Sequence, residues 1–144
     1  IIGMDFGLTP ACTISQIDMH GRFLTYDCLV SEGMGTLRFV REKLKPLLAN
    51  KFPGMPVIVI GDPAGQQRAQ TDERSVFDIL KQEGFRVVPA KSNSIVARLT
   101  AVDKLLTRSV DGKQAMLIDP GCRPLINALR GGYRYKVKSS GSHC

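Results

Sequence analysis

Four consecutive β-branched residues, Val57-Ile58-Val59-Ile60, stand between Pro56 and Gly61. A continuous apolar run this short, closed at both ends by structure breakers, is what a strand covered on both faces requires. Residues 55–61 are therefore predicted to be the central strand of a sheet, and the rest of the chain must supply its neighbours and its cover. Residues 1–5 are apolar and end in an acid, while 11–18 and 22–30 are rich in β-branched and aromatic residues and meet at His20-Gly21. Three strands are thus expected first, the last two as a hairpin.

Between them and the central strand, residues 35–51 place Leu37, Val40, Leu44, Leu47 and Leu48 at helical spacing, with Pro46 predicted to kink or interrupt the helix. A second helix is expected over 71–83, capped by Thr71, with Asp72 and Glu73 in its first turn and Gly84 as its stop. A short strand over 85–88 follows. Residues 92–108 read as a third helix, capped by Ser92 or Asn93, with Ile95, Val96, Leu99, Val102, Leu105 and Leu106 on an apolar face and Arg98, Lys104 and Arg108 on the other. Residues 116–119, 123–130 and 133–138 then read as strand, helix and strand, and the Ser/Gly-rich end from Ser139 as loose. Strand-strand-strand-helix-strand-helix-strand-helix is the ribonuclease-H-like order: an α/β fold with a mixed five-stranded sheet and flanking helices.

A chain of 144 residues suits one core, so 1–144 is expected to be a single domain. It opens within a strand, without Met or a signal-peptide pattern, and reads as a piece of a longer polypeptide. With 43% hydrophobic and 23% charged residues the composition excludes disordered and collagen-like classes, and no apolar run approaches the roughly 18 residues that span a bilayer. The net charge of +7 is uneven: residues 1–85 carry 9 Lys and Arg against 10 Asp and Glu, residues 86–144 carry 11 against 3. A basic half suits a phosphate backbone, because each cation that displaces a condensed counterion gains free energy, although many basic proteins are merely soluble. Cys12, Cys28, Cys122 and Cys144 lack zinc-site spacing and read as free thiols, and His20 and His143 have no ligand-spaced neighbour, which argues against a histidine-centred triad.

In the predicted order the first strand and the central strand lie parallel and adjacent, and ligands gather at the carboxyl ends of such strands. Asp5 and Asp62 end those two strands. Taken singly, each also suits a turn or helix cap, as Asp62-Pro63-Ala64-Gly65 shows. Together they are two like charges at one edge, which a divalent cation stabilises. All-oxygen ligation favours Mg²⁺ or Mn²⁺, and two such ions about 3.5–4 Å apart suit phosphodiester hydrolysis. Gly3 and Gly7, flanking Asp5, would permit close backbone approach. Lys91, Arg98 and Lys104 are the candidates for DNA-backbone contact, with a solvated helix face as the alternative.

The segments Ile2-Gly3-Met4-Asp5-Phe6-Gly7-Leu8-Thr9-Pro10, Val59-Ile60-Gly61-Asp62-Pro63-Ala64-Gly65, Asn93-Ser94-Ile95-Val96-Ala97-Arg98 and Ile118-Asp119-Pro120-Gly121-Cys122 resemble, in this order, the C-terminal nuclease domain of the large terminase subunit of tailed bacteriophages. The resemblance implies an endonuclease that cuts concatemeric viral DNA during packaging, with Asp5 and Asp62 as metal ligands and residues 133–138 in a β-hairpin extension beside the site. It further implies double-stranded DNA as substrate, a packaging ATPase domain, a small terminase subunit and a portal protein as partners, and the cytoplasm of an infected bacterium as the place of action. The family carries a third acid in a C-terminal helix opening with Ser-His. Ser142-His143-Cys144 resembles that opening and stops before the acid; Asp119 is a substitute ligand or a turn residue. No Gly-x-x-x-x-Gly-Lys-Ser/Thr loop is present, so a packaging ATPase belongs to another segment. Two other readings stand beside this one. Asp5-Phe6-Gly7-Leu8-Thr9 also resembles the first phosphate-binding hairpin of actin-like and sugar-kinase ATPases, and the missing acid suits a non-catalytic nucleic-acid-binding module.

Overall fold

The structure, a computed structural model, describes residues 1–66 and 74–132. The expectations for Thr71, Asp72 and Glu73, for the strand and hairpin over 133–138, and for Ser142-His143-Cys144 lie outside the described residues. Strands β1 (Ile2–Asp5), β2 (Ala11–Ile17) and β3 (Phe23–Val30) form the predicted antiparallel meander. Its second turn is held by Asp18, whose Oδ1 accepts from the backbone N–H groups of His20 and Arg22, and by Gly21 at φ 79°.

The helix after the meander is continuous but not uniform: α1 (Thr36–Phe39) passes through a π-helical turn (Val40–Leu44) into α2 (Lys45–Lys51). Pro46 has no N–H for the carbonyl one turn back, and the widened turn just before it absorbs the misfit without breaking the helix. Next come β4 (Ile58–Gly61), a 3₁₀ turn (Pro63–Gln66), α3 (Val76–Gln82) and β5 (Arg86–Pro89). Ser75 starts α3 by a capping box with Asp78, and Gly84, at φ 92°, stops it as predicted. Arg41 and Lys45 both bond the Glu83 carboxylate, at 2.6 and 2.7 Å, and hold its pKa down to about 2, tying the long helix to the end of α3.

Helix α4 (Ile95–Thr107) begins at Ser94, whose Oγ accepts from the Ala97 N–H, rather than at Ser92 or Asn93. A two-stranded ladder, β6 (Ser109–Val110) with β7 (Lys113–Gln114), then turns through Asp111 at φ 51° and Gly112 at φ 73°. This pair of positive φ values is the favoured hairpin turn, and Asp-Gly was its unread signal. Strand β8 (Met116–Ile118) and α5 (Arg123–Asn127), extended by a turn over Ala128–Gly132, complete the described chain.

The sheet order is β5-β4-β1-β2-β3-β8, with β2 alone antiparallel to its neighbours. The five strands expected in the sheet are β1 to β5; the further strand expected over 116–119 is β8, which joins the same sheet as a sixth strand against β3, pairing Phe23 with Met116 through Thr25 with Ile118. The core fills one face of this sheet, where Ile2 and Val59 pack under Phe39, Leu44, Phe77 and Leu80, all nearly or fully buried. Each such side chain contributes about 1.5–3 kcal/mol on removal from water. The expectation that 55–61 is covered on both faces is corrected: Val59 and Gly61 are buried, but Ile58 and Ile60 are only half-buried. The apolar face of α4 is likewise not core, since Val96 is 73% and Leu99 58% exposed. One cause serves both, because α4 stands away from the second face of the sheet and leaves an open cleft there.

Candidate active site

Strands β1 and β4 pair in parallel, Ile2 with Val59, Gly3 with Ile60 and Met4 with Gly61. The next position on each strand is an acid, Asp5 and Asp62, on neighbouring strands that run about 4.8 Å apart. Alternation decides where they point. Ile2, Met4, Val59 and Gly61 face the helical layer, so Gly3, Asp5, Ile60 and Asp62 face the opposite side, where all four line one cleft of about 620 Å³. Asp5 is exposed, and its carboxylate has no hydrogen bond or ion pair among the described residues. Asp62 is half-buried, and its Oδ1 accepts from the Ala64 N–H at 2.8 Å while its carbonyl accepts from the Gly65 N–H. The turn reading of Asp62 is therefore correct, and it is compatible with the other, because the turn orients the carboxylate and leaves Oδ2 without a partner among the described residues.

Two adjacent carboxylates with no cation paired to them among the described residues fit a hard divalent ion such as Mg²⁺ or Mn²⁺. No third His, Cys, Asp or Glu completes a metal-sized group with them among the described residues. Asp119 is placed elsewhere. Ile118 pairs with Thr25 and Thr25 with Ser15, whose N–H bonds the carbonyl of Ile1, so Asp119 lies near the level of the amino end of β1 and three strands away. There its Oδ1 accepts from the Gly121 N–H at 2.7 Å, which makes it the turn residue of the two alternatives.

Of the two glycines flanking Asp5, Gly3 is closely approached, a Cβ there lying 3.2 Å from Thr13 Oγ1, and Gly7 is not; the tightest approaches fall at Gly61 and Gly65. A Cβ on Gly61 would lie 2.3 Å from Phe6 Cζ, and one on Gly65 would lie 2.6 Å from Phe77 and 2.8 Å from Phe6. Phe6 and Phe77 meet edge to face, with centroids 5.8 Å apart. A long-range ring contact of this kind leaves no periodic trace in the sequence.

The far side of the cleft is built by the β5–α4 loop and by one side of α4. Ser92, Asn93, Arg98 and Val102 line it, so the loop after β5 delivers polar groups beside Asp62. Lys91 is exposed in the same loop, between Ala90 and Ser92, which both line the cleft. Lys104 follows Arg98 by six residues and projects about 120° round the helix from it, so the two do not share a face and Lys104 is not part of the lining. Behind the β3 side, Cys28 lines the cleft, and burial together with the adjacent Cys28 thiol pushes Cys122 up to about 11. Burial pushes Cys12 up to about 12. All three are free thiols, as expected, and the raised values keep Cys12 and Cys122 in the unreactive protonated form.

No protein-family profile and no curated protein sequence matches the chain. Solved structures do. The nuclease domain of the large terminase of bacteriophage P22 superposes with a TM-score of 0.64 at 14% identity, over 90% of this chain and 66% of that domain. The large terminase nuclease domain of bacteriophage SPP1, a structure with bound Mn, gives 0.52 at 23% identity over 99% of this chain and 73% of its own. A mitochondrial Holliday junction resolvase of yeast gives 0.53 at 13% identity over 92% and 71%. The chain thus spans about two thirds of the length of the P22 domain. The strand order, the paired strand ends and these superpositions agree: the chain has the ribonuclease-H-like fold, which it shares with these terminase nuclease domains and with the resolvase.

Proposed function

We propose that this chain is a metal-dependent DNA endonuclease domain of a large terminase, cutting concatemeric viral DNA during genome packaging. The observation that carries this reading is the pair Asp5 and Asp62, side by side at the carboxyl ends of β1 and β4 in one cleft, uncompensated among the described residues. Asp5 and Asp62 would hold Mg²⁺ or Mn²⁺, which when bound would supply Lewis-acid activation of water and stabilisation of the leaving oxygen. The Ala64 N–H fixes one oxygen of Asp62 and so turns the carboxylate toward the cleft. Arg98 and Lys91 hold the phosphate backbone of duplex DNA on the other wall, without reading bases. The bound Mn in the SPP1 domain supports the choice of ion. On this reading 1–144 is one nuclease domain of a longer polypeptide whose ATPase lies elsewhere, its further partners are the small terminase subunit and the portal, and it works in the cytoplasm of the infected bacterium.

Calorimetric titration with Mn²⁺ tests the site. Asp5→Asn and Asp62→Asn are each expected to weaken binding by about tenfold or more, since each removes one of the two anionic ligands. Unchanged affinity in both variants overturns the assignment and leaves a non-catalytic binding module.

The placement of the cations gives a second expectation. Arg98→Ala should weaken duplex binding and lower the slope of log affinity against log salt by about 1. Lys104→Ala, which points away from the cleft, should change both less. Equal effects of the two substitutions across a salt series would remove the cleft as the seat of DNA.

A further inference from the structure

We propose that Phe6 is a positioning residue for the acid pair, its ring wedged against Gly61 and Gly65 so that Asp5 is held at the distance from Asp62 that a divalent cation needs. The inference rests on the metal-binding reading above and deepens it. The paired register of β1 and β4 ends at Met4 and Gly61, one residue short of the acids. Beyond that point Asp62 is fixed by its own turn, through the Ala64 and Gly65 N–H groups, and the carbonyl of Gly61 is taken from the other side by the Ala90 N–H at 2.8 Å. Asp5 is in register only with Ala11, on the strand away from Asp62.

What joins the two sides at the level of the acids is the residue after Asp5. The Phe6 ring occupies the space that a Cβ on Gly61 or Gly65 would need, the two glycines that bracket Asp62, and it is clamped from behind by the edge-to-face contact with buried Phe77 of α3. A backbone shift of Asp5 away from Asp62 would have to pull this ring out of the glycine seat. The seat accepts a flat ring because both glycines lack side chains, which explains why the motif around Asp62 reads Gly-Asp-Pro-Ala-Gly. Phe6 touches no reacting atom; it acts through the separation of the carboxylates. Residues that orient metal ligands from behind commonly change affinity by about 10–100-fold when lost.

The test is Mn²⁺ titration of the metal-free protein and its Phe6→Ala, Phe6→Leu and Leu80→Ala variants, each checked for folding by circular dichroism at the titration temperature. Leu80 is fully buried in the same core but is not part of the glycine seat, so it controls for general destabilisation. Phe6→Ala is expected to weaken Mn²⁺ by about tenfold or more, Phe6→Leu by less, and Leu80→Ala to lower the melting temperature while leaving affinity unchanged. If Phe6→Ala fails to fold, the Phe6→Leu and Leu80→Ala pair decides by the same comparison. Wild-type affinity in the folded Phe6 variants overturns the positioning role while the metal site stands. Equal loss in Leu80→Ala also overturns it, by making the effect one of loosened packing. A wild-type chain that binds no Mn²⁺ refutes the metal-site reading, and this proposal with it.

Discussion

Replacement of Asp62 by Asn is expected to lower Mn²⁺-dependent nicking of supercoiled plasmid by about three orders of magnitude while leaving the fold intact. The magnitude follows from what the ions contribute. Lewis-acid stabilisation of a transferring phosphoryl group amounts to several kcal/mol, and roughly 4 kcal/mol is a thousandfold in rate. Asn is the informative substitution because its Oδ1 can still accept from the Ala64 N–H, so the turn after β4 survives and only the charge is lost. The comparison is made on agarose with an EDTA blank. Equal cutting by wild type and Asp62→Asn would show that the nuclease is a contaminant or that the site lies elsewhere.

Gly61→Ala should destabilise the protein by about 1–3 kcal/mol, the range for overpacking a filled site, and so depress the melting temperature by roughly 3–12 °C. The added methyl would meet Phe6 at 2.3 and 2.4 Å, distances at which the ring must leave its seat. Because the clash has one partner, the effect should not be additive. In the Phe6→Ala background the same Gly61→Ala change should cost much less, and the coupling read from the double-mutant cycle should approach the size of the single effect. Thermal unfolding of the four proteins measures it. Additive effects would place the strain on the backbone of β4 and not on the ring.

Much of this architecture was legible because its signals are local. A period of two over 11–18 and 22–30, an apolar run before Asp62 and a glycine after α3 each report on their own neighbourhood, and the element order then fixes which strands can be adjacent. The two acids were legible for the same reason, since each ends an apolar strand. What failed was the step from an apolar face to its cover. Ile95, Val96 and Leu99 recur at helical spacing whether or not anything packs on them, so α4 reads the same as a core helix and as the exposed wall of a cleft. Strand β8, three residues long, carries too little pattern to reveal that it pairs with β3. The separation of Arg98 from Lys104 was available from helical geometry alone, as was the Asp111-Gly112 turn. The seat of Phe6 was not, because it joins positions that no periodicity connects.

The order in which strands can pair also bears on when the acids meet. The meander β1-β2-β3 closes only short loops, but β1 joins β4 by bringing Ile2 to Val59 across two strands and the long helix. Chain entropy makes that closure the slower event. A folding species with the meander formed and β4 undocked would therefore hold Asp5 alone. A nascent chain emerging from the ribosome would present one of its acids well before the other, and could not bring the pair together until β4 had docked beside β1.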